Sequence, residues 1–180
     1  IDAEGDTTCA GTLSSSVCWG ASSIAALPPV SGETYVDGSV GEDVVCGLTD
    51  AGRLYCEGTS PYGIQGAPSV GWTNVSVSAG TMCKLHPQLG LSCTGSDAYT
   101  KATPPGPVSM VSVSAGDTHI CGVTPADTPK CMGSGKFALG VNEEFGQAAP
   151  PSGPVVQVSA GSLHSCAVTA AGEASCWTAT

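Results

Sequence analysis

The chain has 180 residues, of which fifteen are acidic and five basic, so the formal net charge is −10 and Arg53 is the only arginine. That balance removes the phosphate-neutralising term that drives nucleic-acid binding, and chromatin or RNA partners are excluded on charge. No apolar run approaches 18 residues, which speaks against a membrane-spanning helix, and a chain that opens on Ile1 without a basic-then-apolar leader reads as a processed, mature segment.

The ten cysteines organise everything else. They fall into five pairs, Cys9 and Cys18, Cys46 and Cys56, Cys83 and Cys93, Cys121 and Cys131, Cys166 and Cys176, and the first member recurs after 37, 37, 38 and 45 residues. A period of that size marks supersecondary units stacked as a propeller or solenoid. The predicted repeats are 1–34, 35–72, 73–108, 109–153 and 154–180, together one domain.

The first repeat, IDAEGDTTCAGTLSSSVCWGAS, is worn and has a shorter gap between its cysteines; its Asp2, Glu4 and Asp6 are a candidate calcium cluster. In the second, DGSVGEDVVCGLTDAGRLYCEGTS from Asp37, the Asp50-Ala51-Gly52 turn separates two apolar stretches, the pattern of a β-hairpin. The third, VSVSAGTMCKLHPQLGLSCTGS from Val75, follows Trp72 and holds the one N-glycosylation sequon, Asn74-Val75-Ser76; a glycan there requires Asn74 to face outward. His86 beside Pro87 reads as a solvated turn residue. The fourth, VSVSAGDTHICGVTPADTPKCMGS from Val111, shows the unit most clearly. Val111 to Ala115 alternates β-branched residues with serines, a half-buried strand A, Gly116 bends the chain, and a hairpin of strands B and C follows. The proline-rich segment up to Val155 leaves room for one short strand D. The fifth, VQVSAGSLHSCAVTAAGEASCWTA from Val156, repeats the unit with an Ala170-Ala171-Gly172 turn.

Positions about ten apart across a tight turn face each other on antiparallel strands, where Cα atoms approach to about 4.5 Å, close enough for a disulfide. Each closed loop of roughly ten residues is worth about 2.7 kcal/mol in the chain-entropy account, and the five together on the order of 10 kcal/mol at most. Fully paired cysteines imply an oxidising compartment, extracellular or at the cell surface. Zinc is disfavoured because no Cys-x-x-Cys or His-x-x-x-His spacing occurs, and His119 and His164 hold the same repeat position as Thr7, Val44 and Thr81, which points to a hydrogen-bonding role. Calcium through the first-repeat acids or through Glu143 and Glu144 has neither EF-hand nor nonapeptide spacing behind it. No metal or cofactor is expected.

No catalytic constellation is legible either. No Gly-x-Ser-x-Gly elbow occurs, the cysteines are committed, and the adjacent Glu143 and Glu144 would point to opposite sides of a strand. The chain is therefore expected not to be an enzyme.

The run V-x-V-S-A-G-x-x-H-x-C-x-V-T-x-x-G-x-x-x-C-W at Val156 to Trp177 resembles the repeat of the regulator of chromosome condensation family. Ser78 to Gly80, Ser114 to Gly116, Ser159 to Gly161, His119, His164 and Cys18-Trp19-Gly20 carry the same resemblance. The paired cysteines are similar to those of its secreted branch, which includes bacterial surface proteins and the ectodomains of crinkly-type plant receptor kinases. The resemblance implies a β-propeller of four-stranded blades, usually seven in a closed ring. This chain has five hairpins, lacks the usual glycine after Cys176-Trp177, and aligns Ile1 with Val113. The expected fold is thus all-β, a β-propeller-like repeat domain of five disulfide-stapled antiparallel blades, open rather than closed.

Two functional readings follow. In the first, the uncharged, β-prone tail Trp177-Thr178-Ala179-Thr180 pairs head to tail with another copy, making a glycosylated subunit of a filament or surface coat; the rival explanation of these ends is a fragment of a larger protein. In the second, the chain is a secreted propeller binding module, in the manner of the family's protein inhibitors and receptor ectodomains. Tyr62, Tyr99, Phe137 and Phe145, about one per inter-repeat segment, are either its recognition face or filler between blades. The Ser/Thr/Pro stretches Ala102 to Pro107 and Ala148 to Pro154 resemble O-glycosylated segments or rigid linkers. The first reading is the primary expectation, with self and covalent glycans as partners.

Overall fold

A computed structural model describes residues 2–4, 7–11, 15–20, 27, 30–41, 43–58, 70–78, 80–96, 108–133, 148–150 and 152–178. Fifteen strands form five three-stranded antiparallel sheets, and no helix is present among these residues. The first sheet is β1 (Asp2–Glu4), β2 (Thr7–Gly11) and β3 (Ser16–Gly20). The second is β4 (Tyr35–Val40), β5 (Val44–Thr49) and β6 (Leu54–Gly58). The third is β7 (Asn74–Ser78), β8 (Thr81–His86) and β9 (Gly90–Gly95). The fourth is β10 (Ser112–Ala115), β11 (His119–Val123) and β12 (Pro129–Gly133). The fifth is β13 (Gln157–Ala160), β14 (Ser165–Val168) and β15 (Ala174–Trp177). These are the predicted strands A, B and C of each unit; a strand D would fall in the inter-repeat segments, most of which lie outside the described residues.

The hairpin registers set the two cysteines of every pair directly opposite one another. All five disulfides are formed, with Cα atoms 4.1 Å apart in the first four blades and 3.9 Å in the fifth. Three hairpins share one turn. Thr49, Thr124 and Thr169 each accept through the carbonyl from the residue three on and through the hydroxyl from the residue four on. The third turn residue takes positive φ in each, 72° at Gly52, 57° at Asp127 and 82° at Gly172.

A glycine two residues after the second cysteine recurs in the first four blades, with φ from 108° at Gly133 to 132° at Gly20. A Cβ at Gly58 or Gly95 would collide with the Asp43 or Gly80 carbonyl oxygen, so only glycine lets the outer strand leave the sheet there. The fifth blade has Thr178 at this position. It is not in that conformation, and its hydroxyl donates to the Leu163 carbonyl at 3.0 Å instead.

The core lies between sheets, not within them. The rear face of each sheet packs on the front face of the next, giving four apolar clusters. One joins Val44, Cys46 and Leu48 to Val75, Val77 and Met82 of the third blade. The next joins Cys83, Leu85 and Leu91 to Val113, Ile120 and Met132 of the fourth. A third joins Cys121, Val123 and Cys131 to Val155, Val158 and Ala167 of the fifth, with Trp177 against it. The remaining one sets Cys9 against Leu27, Val40 and Val45. Every disulfide thus belongs to the rear face of its blade, and the first four are covered by the blade that follows.

Candidate functional site

Strand A of each blade lies at the centre of the arc. Its residue opposite the first cysteine is Asp2, Ser39, Ser76, Ser114 and Ser159 in turn. Each of the first four accepts a hydrogen bond from the next blade's strand A, always from the residue one beyond its counterpart. Val40 N–H donates to Asp2 at 2.8 Å, Val77 to Ser39 at 3.0 Å, Ala115 to Ser76 at 2.9 Å and Ala160 to Ser114 at 3.0 Å. Serine is short enough to let the strands approach and polar enough to satisfy an N–H that the sheet leaves unused. The serines that look like the polar half of an alternating strand are the rungs between blades.

A second set of rungs lies two residues earlier. The Asp37 carboxylate accepts from Val75 N–H at 3.0 Å and from the Asn74 amide at 2.5 Å, and the Asn74 carbonyl oxygen accepts from Val113 N–H at 2.8 Å. Burial pushes the Asp37 carboxyl above the ordinary carboxylate range, against the pull of these donors and of Gly38 N–H. This corrects the sequon expectation: Asn74 does not face outward. It is half-buried, and the nitrogen a glycan would occupy is committed to Asp37.

His119 is fully buried, and its Nε2 lies 2.7 Å from Ser165 Oγ of the fifth blade, the hydrogen-bonding role expected of it. Its counterpart His164 is exposed over Gly161. His86, expected to be solvated, instead accepts from Gln88 and Leu89 N–H through Nδ1 and meets Trp72 in a T-shaped contact at 5.5 Å, and Lys84 lies over the Trp72 ring at 4.2 Å.

A cleft of about 510 Å³ opens between the first two blades and is lined by Asp2, Ser16, Leu27, Tyr35, Val36 and Asp37 among others. At its mouth β4 carries the only register shift among the described strand pairs, a bulge between Tyr35 and Asp37. The extra residue is Val36, turned out so that 61% of it is exposed. Tyr35 stacks edge-on with Tyr55 at 6.3 Å. Its hydroxyl is pushed up to about 12 by burial first and then by Tyr55, Glu57 and Glu33, so it stays a neutral donor at any physiological pH. The cleft lining is mixed apolar and acidic, with Leu27, Val36 and Val40 beside Asp2 and Asp37.

Of the tail proposed to pair with another copy, Trp177 ends β15 and packs toward the fourth blade, Thr178 bonds to Leu163, and Ala179 and Thr180 lie outside the described residues. Asp6, Tyr62, Tyr99, Phe137, Glu143, Glu144 and Phe145 lie outside them as well. No group of three or more metal-ligating side chains occurs among the described residues, and no helix there is long and apolar enough to cross a membrane. The rung serines, Asp37 and the Val36 bulge were not identified from sequence. Recurrence of serine at one strand position was the available signal.

Residues 155–177 match the Regulator of chromosome condensation (RCC1) repeat. No curated protein matches the chain by sequence. Among solved structures, the chain is similar to the ectodomain of the receptor kinase CR4 from Physcomitrella patens, with a TM-score of 0.73 and 23% identity over 96% of this chain and 49% of that one. It is similar to the CRINKLY WD40 ectodomain of the receptor kinase ACR4 from Arabidopsis thaliana, with a TM-score of 0.70 and 21% identity over 96% and 62%. It is also similar to Prp20p of Saccharomyces cerevisiae, described with its binding to Gsp1p and histones, with a TM-score of 0.74 and 15% identity over 96% and 56%. The fold is that of these propellers, unclosed in this chain, which spans about half to three-fifths of their length.

Proposed function

We propose that this chain, whose residues 155–177 match the regulator of chromosome condensation repeat and whose five blades each carry a disulfide, is a secreted propeller module that binds a protein partner through the cleft between its first two blades. One observation carries the choice of surface: the single bulge among the described strand pairs sets the exposed Val36 at the mouth of this cleft. Rigid blades hold that mouth in place, and a net charge of −10 suits a partner with a basic face around an apolar anchor. The receptor-kinase ectodomains and Prp20p support a binding role through shared architecture. Five disulfides support an extracellular setting. A filament or coat held by residues 177–180 gains no support from either source, and neither does a glycoprotein.

The test immobilises the chain, captures proteins from the extracellular fluid of its source, and compares Val36→Arg with Leu89→Arg. Leu89 is equally solvent-facing, 70% exposed, and lies in the β8–β9 turn away from the cleft. A salt-sensitive partner lost at least about tenfold with Val36→Arg and kept with Leu89→Arg is the expected result. Equal capture by both variants and the parent overturns the assignment.

A further inference from the structure

Between Glu57 and Asp97 the chain has no acidic residue, the longest such interval in the sequence, and Lys84 is the only lysine or arginine within it. In a molecule with a net charge of −10, the third blade thus holds a cation that its own repeat does not neutralise. The fold supplies no partner either. Lys84 is half-buried, and among the described residues no carboxylate lies within ion-pair reach of it, the one ion pair there being Arg53 with Glu33. Burial alone holds its amine below the ordinary lysine range. What faces the ammonium is the Trp72 ring, 4.2 Å away at the centroid.

His86 adds a second donor. It stands two residues beyond Lys84 on β8, so the two side chains leave the same face of the strand from Cα atoms about 7 Å apart, and both touch Trp72. The two ring nitrogens of His86 are not equivalent. Nδ1 accepts from Gln88 N–H at 3.1 Å and from Leu89 N–H at 3.2 Å, which puts the proton of the neutral ring on Nε2. No described group accepts from that Nε2–H. It faces Gly71, where a Cβ would come within 2.7 Å of the nitrogen, and Gly71 has φ of 89°. Glycine therefore suits the backbone there and also leaves the space beside Nε2 open. Trp72, Lys84 and His86 are each half-buried and Gly71 is exposed, so solvent reaches the cluster.

We propose that Trp72, Lys84 and His86 form a binding site for an oxyanion, a carboxylate or sulfate group, on the third blade. Lys84 Nζ supplies the charge, His86 Nε2–H supplies a directed hydrogen bond, and the Trp72 ring holds the ammonium in place between them. An oxyanion suits the pair because two of its oxygens can take one donor each. None of the three residues lines the cleft between the first two blades, so the site stands independently of the function proposed for that cleft.

NMR of the 180-residue chain labelled in its histidine and lysine side chains reads both donors directly. Sodium sulfate and, separately, sodium acetate are titrated at constant ionic strength made up with sodium chloride. The His86 and Lys84 signals are expected to move together along a saturating curve in at least one of the two salts, with a dissociation constant of about 1 mM, while the exposed His164 stays unmoved. Saturation by sulfate alone assigns a tetrahedral oxyanion, and saturation by acetate alone assigns a carboxylate. Lys84→Met, which keeps an apolar stem over Trp72, should raise the constant at least about tenfold. Shifts that stay linear in both salts, shifts at His164 equal to those at His86, or equal affinity in Lys84→Met and the parent each overturn the proposal. Should Lys84→Met fail to fold, His86→Gln followed through the Lys84 signal gives the same test, with at least about a threefold loss expected and unchanged affinity counting against the site.

Discussion

Replacing Cys121 and Cys131 together with alanine is expected to lower unfolding stability by about 4 kcal/mol. Closing a ten-residue loop accounts for about 2.7 kcal/mol of that, and the voids left by two buried sulfurs for about another kcal/mol. The same change at Cys166 and Cys176 closes an equal loop but leaves a smaller void, because Cys176 is exposed and Cys166 half-buried where Cys121 and Cys131 are 0% and 1% exposed. It should cost about 1 kcal/mol less. Urea unfolding of the two double variants measures both numbers. Equal losses would mean that the bridges act on the unfolded chain alone and take no part in the joint between blades.

His119→Ala is expected to cost about 3 to 4 kcal/mol, since it empties a fully buried site and removes the 2.7 Å bond to Ser165. His164→Ala, at the same repeat position but exposed, should change the stability of the monomer by no more than about 0.5 kcal/mol. Combining His119→Ala with Ser165→Ala in a double-mutant cycle isolates the cross-blade bond, expected at about 1 kcal/mol or more. A coupling of zero would place the cost in the cavity and remove His119 from the set of blade-to-blade links.

Much of the fold was legible because the repeat is local. Cysteine spacing, serine-valine alternation and the Asp50-Ala51-Gly52 turn all act within about 25 residues, and strands A, B and C, the disulfides and the order of the sheets follow from them. Contacts between repeats were not legible. Ser76 and Ser114 look like the solvent side of a strand until the backbone N–H 39 or 46 residues away is seen to need them. Asn74 satisfies a sequon motif, yet a motif is silent on where the side chain points, and the carboxylate of Asp37 draws it inward. The cleft was equally hidden, since the β4 bulge at Val36 has no counterpart in the other described strand pairs from which periodicity could have predicted it.

The molecule is a chain of blades, each stapled within itself and to no other. Peptide mapping under non-reducing conditions tests that directly. It should recover five bridges, Cys9–Cys18, Cys46–Cys56, Cys83–Cys93, Cys121–Cys131 and Cys166–Cys176, with no free thiol. A bridge joining cysteines of two different repeats would contradict it, because the registers that build the blades, the serine rungs and the cleft all depend on those local pairs.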